Sequence, residues 1–250
     1  NLGTILNNGT LQNYGYMNNF AVIDSSSSFE NHGSGTFTNF ATGTLVITSG
    51  AFDTGGILNN TNNIIINNGV IDNTNSFINS GSITINNNGT INTSTLVNDP
   101  GGTFTNLSGG IINNYDNISN LNVFDNFGVL HTSGQIDNIF GSINNNGIID
   151  FIPGSGATLY NLATLTNYFN GTINVNSSDT LDNTGTIINS GDINMACGSV
   201  YSGTDPTGNS INDIACPVTV AVQNGNWDDP ATWGGTVPLS SDSVTIPSGI

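Results

Sequence analysis

The sequence predicts an all-β protein, a right-handed parallel β-helix (β-solenoid) with a disulfide-clipped C-terminal segment. Three observations predict it: a six-residue beat, a return of that beat near every twenty residues, and an abundance of turn-forming Asn and Gly. The beat is clearest from Leu181 to Met195, where Leu181, Ile187 and Ile193 recur. Asn follows two places after each of the first two, and Gly stands two places before the next apolar residue. A period this short, sustained along the chain, is the signature of a β-solenoid.

Each coil is predicted to hold three short strands in about twenty residues. A strict six-residue beat would suit the left-handed hexapeptide helix, but the variable insertions favour the right-handed form. Asn side chains at equivalent positions of neighbouring coils can stack into an amide ladder, each bonding the next coil. The longer return is visible in apolar-x-Asn triplets, most of them near twenty residues apart, which open at Phe77, Phe104, Phe124, Ile143 and Leu165.

The chain in order shows where the pattern is interrupted. Residues 1–23 hold four cycles without a break, whereas the polar residues 24–36 are predicted to leave the coil as a loop. The pattern resumes at Phe37. Pro100 and Pro153 mark turns, because proline cannot donate a hydrogen bond to a strand ladder.

Charge excludes several classes of partner. The chain has 17 acidic residues, no Lys or Arg, and a net charge of −17. It therefore lacks the side chains that neutralise phosphates, so no nucleic acid and no anionic membrane surface are expected as partners. No run of about 18 apolar residues exists, so no membrane insertion is expected. A disordered, prion-like tract would also be rich in Asn, but the regular return of Ile, Leu, Val and Phe argues against it.

Two cysteines, Cys197 and Cys216, are predicted to form a disulfide, because no His cluster accompanies them as in a metal site. Two buried free thiols are the alternative. A disulfide indicates an oxidising, extracellular setting. The absence of trypsin sites suits the same setting, and the protein is expected to be secreted or on a cell surface. The chain begins mid-pattern at Asn1, which suggests a mature or excised segment.

The beat resembles that of filamentous-haemagglutinin-like β-helix surface proteins and adhesins. The resemblance covers residues 1–194, the predicted β-solenoid domain, in the form G-x-[IL]-x-N-x-G-x-I. It implies a β-helix and a surface habitat rather than a particular partner. Residues 195–216 are predicted to form a disulfide-clipped loop.

The last stretch, residues 217–250, is similar to the opening of G8-like modules, which begin β-helical regions in large secreted and surface proteins. More strands would follow in such a module, so this segment is expected to be incomplete or completed by a neighbour. An ordinary hairpin with two packed Trp side chains is the alternative. The resemblance is carried by Trp227, Trp233, Pro238, Asp242, Val244 and Ile246.

The residues do not predict an enzyme. Polysaccharide lyases on β-helices usually use Arg or Lys, which are absent. Hydrolases need paired carboxylates at a fixed separation, whereas the adjacent Asp228 and Asp229 indicate a turn before Pro230. His32 and His131 have no nucleophile motif beside them and are interpreted as solvated or packed.

No cofactor is predicted, although calcium is left open. Asp205, Asn209 and Asp213 could supply oxygen ligands, but their spacing does not fit an EF-hand, and a plain polar loop is the alternative. N-glycosylation is a further candidate wherever an Asn side chain points outward. The sequons begin at Asn8, Asn59, Asn88, Asn92, Asn106, Asn117, Asn170 and Asn176.

Two functions follow from these features. The first is an extracellular structural protein whose solenoids self-associate end to end into a homopolymer, as a cell-surface filament, sheath or adhesin stalk. The second is a binding module for carbohydrate, such as surface glycans, or for ice. Ice binding would need outward threonines to align in neighbouring coils, yet the candidates are scattered. They are Thr4, Thr10, Thr90, Thr172 and Thr186.

Overall fold

The β-solenoid prediction is confirmed by a computed structural model, in which nearly all regular structure is parallel β-strand. Side chains alternate across a strand, so in an apolar-x-Asn triplet the apolar residue and the Asn both point inward and the middle residue points outward. The structure describes residues 2–26, 29–31, 36–39, 44–47, 51–54, 57–61, 65–67, 70–80, 83–87, 89–213, 216, 218–235, 237–238 and 243–248.

The coils stack so that three parallel sheets, here called faces 1, 2 and 3, run along the rod. Leu181, Ile187 and Ile193 lie on faces 3, 1 and 2, so one coil consists of three cycles of the beat. We call the turns that follow the strands of each face the first, second and third corner. Face 1 is built from Ile5–Asn7, Val22–Ser25, Thr44–Ile47, Ile65–Asn67, Ile83–Asn87, Gly102–Asn106, Val123–Asn126, Ser142–Asn145, Thr164–Asn167, Thr186–Asn189 and Thr207–Gly208.

Faces 2 and 3 share three long strands, Val70–Ser80, Thr90–Asn98 and Ile111–Asn120, which bend round the second corner with a register shift. Face 2 also contains Leu11–Asn13, Phe29–Asn31, Ala51–Thr54, Val129–Thr132, Ile148–Phe151, Thr172–Val175, Asp192–Met195 and Asn212–Asp213. Face 3 also contains Tyr16–Asn19, Thr36–Asn39, Ile57–Thr61, Gln135–Asn138, Thr158–Asn161, Thr180–Asn183 and Val200–Gly203.

The coil length varies, as the insertions predict. Ile5 pairs with Ile23, 18 residues on, whereas Leu165 pairs with Ile187, 22 residues on. Such variation departs from a strict six-residue beat. The handedness of the coil stays a prediction.

One grouping of triplets was wrong. Phe104, Phe124, Ile143 and Leu165 do form one column on face 1. Phe77 lies on face 3 instead, where it pairs with Leu96 in the next coil. The apolar-x-Asn triplet is the same on all three faces, so the motif alone does not identify the face.

The predicted loop at residues 24–36 was wrong for its centre. Phe29–Asn31 forms a strand of face 2 that pairs with Leu11–Asn13. Phe29 is fully buried and packs edge-to-face on Phe37, with ring centroids 5.2 Å apart. Burying such a side chain is worth roughly 1.5–3 kcal/mol, which outweighs the polar character of its neighbours. Residues 27–28 and 32–35 lie outside the described residues.

The segment predicted as a disulfide-clipped loop, residues 195–216, is mostly a further coil. Val200–Gly203, Thr207–Gly208 and Asn212–Asp213 pair in parallel with strands of the preceding coil. The solenoid therefore extends beyond residue 194. Its cycles were missed because this coil carries Tyr201 and Thr207 where earlier coils carry Leu or Ile.

The last part of the chain is a small separate cluster. Val218–Val220 pairs in parallel with Ser243–Thr245, and a short 3-10 helix spans Pro230–Trp233. Trp227 and Trp233 pack edge-to-face at 4.9 Å. The two tryptophans do pack, but the strands are parallel, so the segment is not the hairpin of the alternative interpretation.

Candidate functional site

Two amide ladders line the inside of the rod. At the first corner, each inward Asn donates from Nδ2 to Oδ1 of the Asn one coil on, over 2.8–2.9 Å. At the third corner, the corresponding distances are 2.7–3.0 Å. All of these side chains are fully buried. The first-corner ladder consists of Asn67, Asn87, Asn106, Asn126, Asn145, Asn167 and Asn189, and the third-corner ladder of Asn79, Asn98, Asn120, Asn138, Asn161 and Asn183.

Each ladder Asn also fixes a turn. Asn126 Nδ2, for example, donates to the carbonyl of Ile148, the first residue of the strand that follows the next turn, over 2.9 Å. Asn138 does the same to Thr164 over 2.8 Å. The ladders thus satisfy polar groups that the narrow rod buries, and they tie each coil to its neighbour. This confirms the predicted ladder.

The second corner is built differently. Its inward positions begin with polar residues, such as Asn114, which donates to Thr132 Oγ1 over 3.1 Å. From Phe151 onward the column is apolar, and it continues through Val175 and Met195. The turns also lengthen here, so the switch coincides with a change in loop structure.

Asp179 supplies the buried polar group of these longer turns. Its Oδ1 accepts from the Ala157 amide over 2.9 Å and from Ser155 Oγ over 3.2 Å, while Oδ2 is buried without a partner in the described structure. Burial raises the pKa of Asp179, and the hydrogen bonds from Ala157 and Ser155 oppose that rise. Nothing in the six-residue beat marks this residue, so sequence reasoning missed it.

The predicted disulfide is confirmed. Cys197 and Cys216 are bonded, with Cα atoms 4.7 Å apart and a sequence separation of 19 residues. That separation is one coil. Cys197 lies in the turn after Met195, so the bond links successive coils at the second corner, where no amide ladder does so.

The sequons differ in exposure. Asn106 is fully buried, and its Nδ2 donates to Asn126 Oδ1 over 2.8 Å. Since a glycan needs an outward side chain, Asn106 cannot carry one in the folded rod. Of the others, Asn8 and Asn170 are exposed, Asn92, Asn117 and Asn176 are half-buried, and Asn88 and the side chain of Asn59 lie outside the described residues.

The calcium candidates are spread over one coil rather than gathered. Asp205 lies at the third corner, Asn209 at the first, and Asp213 at the end of a face 2 strand, all exposed. Asn209 uses its amide nitrogen on the Ser190 carbonyl, over 2.9 Å. In the described part of the chain, no three Asp, Glu, His or Cys side chains form a group that could hold a metal ion.

The remaining candidates occupy separate places. His131 Nδ1 lies 3.4 Å from Asp150 Oδ2 on the outside of face 2, and both side chains are partly exposed. His32 lies outside the described residues. Asp229 caps the 3-10 helix by accepting from the Ala231 amide over 3.0 Å, which agrees with the predicted turn.

The outward threonines do not form a continuous row. Thr90 and Thr172 share a column of face 2, but apolar residues such as Val129 stand between them. Thr186 lies on face 1. The regular array that ice binding needs is therefore not formed by these residues.

The ends of the rod differ from its middle. Core residues Ile5, Leu11 and Met17 of the first coil are only partly buried, whereas their partners in the next coil are fully buried. The first coil also exposes Leu6 and Tyr16, at 69% and 87%. Among the described strands, its three strands pair on one side only.

At the other end, Tyr201 and Ile211 of the last coil are also only partly buried. Together with Met195, Ser199 and Asp213 they line a cavity of about 350 Å³. Both ends thus present apolar surface and strand edges.

Comparison of the chain with models of protein families, with curated proteins and with solved structures finds no match. Within the described residues, no helix is long and apolar enough to cross a membrane. The functional argument therefore rests on the rod and its ends.

Proposed function

We propose that this protein is an extracellular structural protein whose β-solenoids associate end to end, forming a cell-surface filament, sheath or adhesin stalk. The observation that carries the proposal is the first coil, where core residues Ile5, Leu11 and Met17 are half-exposed. Stacking another coil on this end would bury them. It would also pair the free strand edges, which otherwise act as templates for a further strand.

The geometry of the contact favours a filament over a closed oligomer. The two ends of a solenoid are different surfaces, so an end-to-end contact is heterologous, and such contacts extend without limit unless a rotation closes them. The resemblance to filamentous-haemagglutinin-like surface proteins supports the same role. A disulfide between Cys197 and Cys216 supports an oxidising, extracellular setting. The role proposed is structural and not enzymatic.

Sedimentation and electron microscopy of the purified 250-residue protein test the proposal. We expect concentration-dependent rods with an axial repeat on the order of 50 Å, the height of 11 stacked strands. Met17→Lys places a charge on the end surface and should abolish the assembly. Phe140→Lys is the matched control, because Phe140 is 82% exposed at the third corner and far along the rod from the first coil.

A protein that stays monomeric at high concentration contradicts the proposal. Assembly that survives Met17→Lys, or that is lost equally in Phe140→Lys, also contradicts it, because the contact would then not involve the first coil.

A further inference from the structure

A cleft on the side of the rod lies between two exposed aromatic residues at the first corner. Phe127, Asn146 and Tyr168 each follow a ladder Asn directly, and those ladder Asn residues are in register. The three side chains therefore occupy equivalent positions in successive coils. Phe127 and Tyr168 are 45% and 47% exposed. The smaller Asn146 between them leaves a notch.

The walls of the notch have the right separation for one ring. Phe127 and Tyr168 are two coils apart, so their positions differ by about 9.6 Å along the rod, twice the strand spacing. A flat ring sandwiched between two others needs about 3.5–4 Å on each side. The cavity in the notch measures about 280 Å³, near the lower end of the range for small-molecule sites.

The floor of the notch is polar. Asp125 and Asn144 are register partners on the outside of face 1, and Asn144 Nδ2 donates to Asp125 Oδ1 over 2.8 Å. This leaves Asp125 Oδ2 and Asn144 Oδ1 to accept hydrogen bonds from a ligand. Asn146 makes no side-chain hydrogen bond within the described chain and lines the same cavity. Two aromatic walls and a floor of carboxylate and amide groups suit a ligand with apolar faces and hydroxyls at its edge.

The cleft is held rigidly by the fold. The Phe127, Asn146 and Tyr168 amides donate to carbonyls of the preceding coil over 2.7, 2.8 and 2.8 Å. At Gly147, which follows Asn146, a Cβ would lie 2.1 Å from the carbonyl oxygen of Gly128, so the turn is tightly packed there. A rigid site of this kind loses little entropy when a ligand binds.

We propose that this cleft binds a neutral pyranose unit of a glycan, with Phe127 and Tyr168 stacking on the two faces of the sugar ring. Asp125, Asn144 and Asn146 would hydrogen-bond its hydroxyls. A neutral sugar is indicated because the cleft holds Asp125 and the chain has no Lys or Arg. An anionic sugar would be repelled. The cleft is on the side of the rod, so this proposal does not depend on end-to-end assembly.

Titration of the isotopically labelled full chain, followed by NMR, tests the proposal. The probes are tetrasaccharides of glucose, galactose, mannose and N-acetylglucosamine, with tetragalacturonate as the anionic counterpart. At least one neutral probe should shift the Asn144 and Tyr168 amide resonances saturably, and tetragalacturonate should bind more weakly. Tyr168→Ala and Phe127→Ala should each weaken binding roughly tenfold, since each removes one aromatic contact.

Two further variants make the test specific. Asn146→Phe fills the notch without removing either wall and should abolish binding. Phe140→Ala removes an exposed aromatic side chain at the third corner and should leave binding unchanged. Circular dichroism confirms that each variant is folded. The proposal is overturned if no neutral probe binds, if tetragalacturonate binds best, or if binding survives Asn146→Phe.

Discussion

The second corner of the rod and the other two solve the same problem in different ways. At the first and third corners, a buried Asn in every described coil from residue 67 or 79 onward bonds both the next Asn and the next turn. At the second corner, Phe151, Val175 and Met195 fill the same kind of inward position with apolar side chains. The turns there make their own bonds, such as Ser199 N–H to the Ala196 carbonyl over 3.0 Å.

This difference teaches where the polar requirement of the rod lies. The inward position itself needs only to be filled. The turn backbone must be satisfied, either by a ladder Asn or by groups of a longer turn, with Asp179 accepting from Ala157. Where apolar residues replace the ladder, the coils lose a polar tie between them, and the last such step holds the disulfide instead.

Breaking a ladder should have the largest effect. Asn126→Leu removes one acceptor and two donor interactions of a fully buried side chain, with Asn106, Asn145 and Ile148. Each stranded buried partner costs about 1–3 kcal/mol, so we expect a loss of about 3–5 kcal/mol in the free energy of unfolding. Urea denaturation measures it. Asn170→Leu, on an exposed turn, is the control and should change stability by less than about 0.5 kcal/mol.

Removing the disulfide should have the next largest effect. The Cys197→Ser/Cys216→Ser variant opens a loop of 19 residues, which costs about 3 kcal/mol in the chain-entropy model. The loss should be local, because only the last coil is tied by this bond. Hydrogen exchange should therefore quicken at residues 200–213 and stay unchanged near Asn126. Uniform quickening along the rod would show that the last coil is not an independent unit.

Placing an amide at the apolar corner tests the comparison in reverse. Val175→Asn buries an amide between Phe151 and Met195, where it finds no ladder partner, and should cost about 2 kcal/mol. Adding Phe151→Asn supplies a partner in the neighbouring coil. The double variant should then be more stable than the sum of the single changes predicts, by about 1 kcal/mol in a double-mutant cycle. Simple additivity would mean that the second corner cannot accommodate a ladder.

The smallest effect concerns Asp179 and depends on pH. Burial raises its pKa in the folded protein above the ordinary value of 3.8, so the folded state holds this proton more tightly than the unfolded state. Stability from this group is complete below pH 3.8 and falls as pH rises through the folded pKa. Asp179→Asn should therefore be more stable than the native protein at pH 7, with the advantage shrinking towards about pH 3.5. An advantage that is the same at both pH values would show that burial of the charge is not its cause.

The sequence by itself determined the solenoid, the amide ladders and the disulfide. The physical reason is that these depend on local periodicity: a residue's position within the apolar-x-Asn-x-Gly cycle decides whether its side chain points in or out. The cycle around Leu181 and Ile187 therefore suffices to identify Asn183 and Asn189 as ladder positions. The cysteine spacing, equal to one coil, follows the same rule.

Only the tertiary structure decided which face each triplet joins and what the turns bring together. Phe29 becomes a strand residue and Phe77 lies on face 3 because packing against neighbouring coils, rather than the local motif, sets the register. Asp179 meets Ala157, and Phe127 lies in register with Tyr168, across distances of 22 and 41 residues in the chain. Insertions change the coil length from 18 to 22 residues, so such neighbours become apparent only when the coils are stacked.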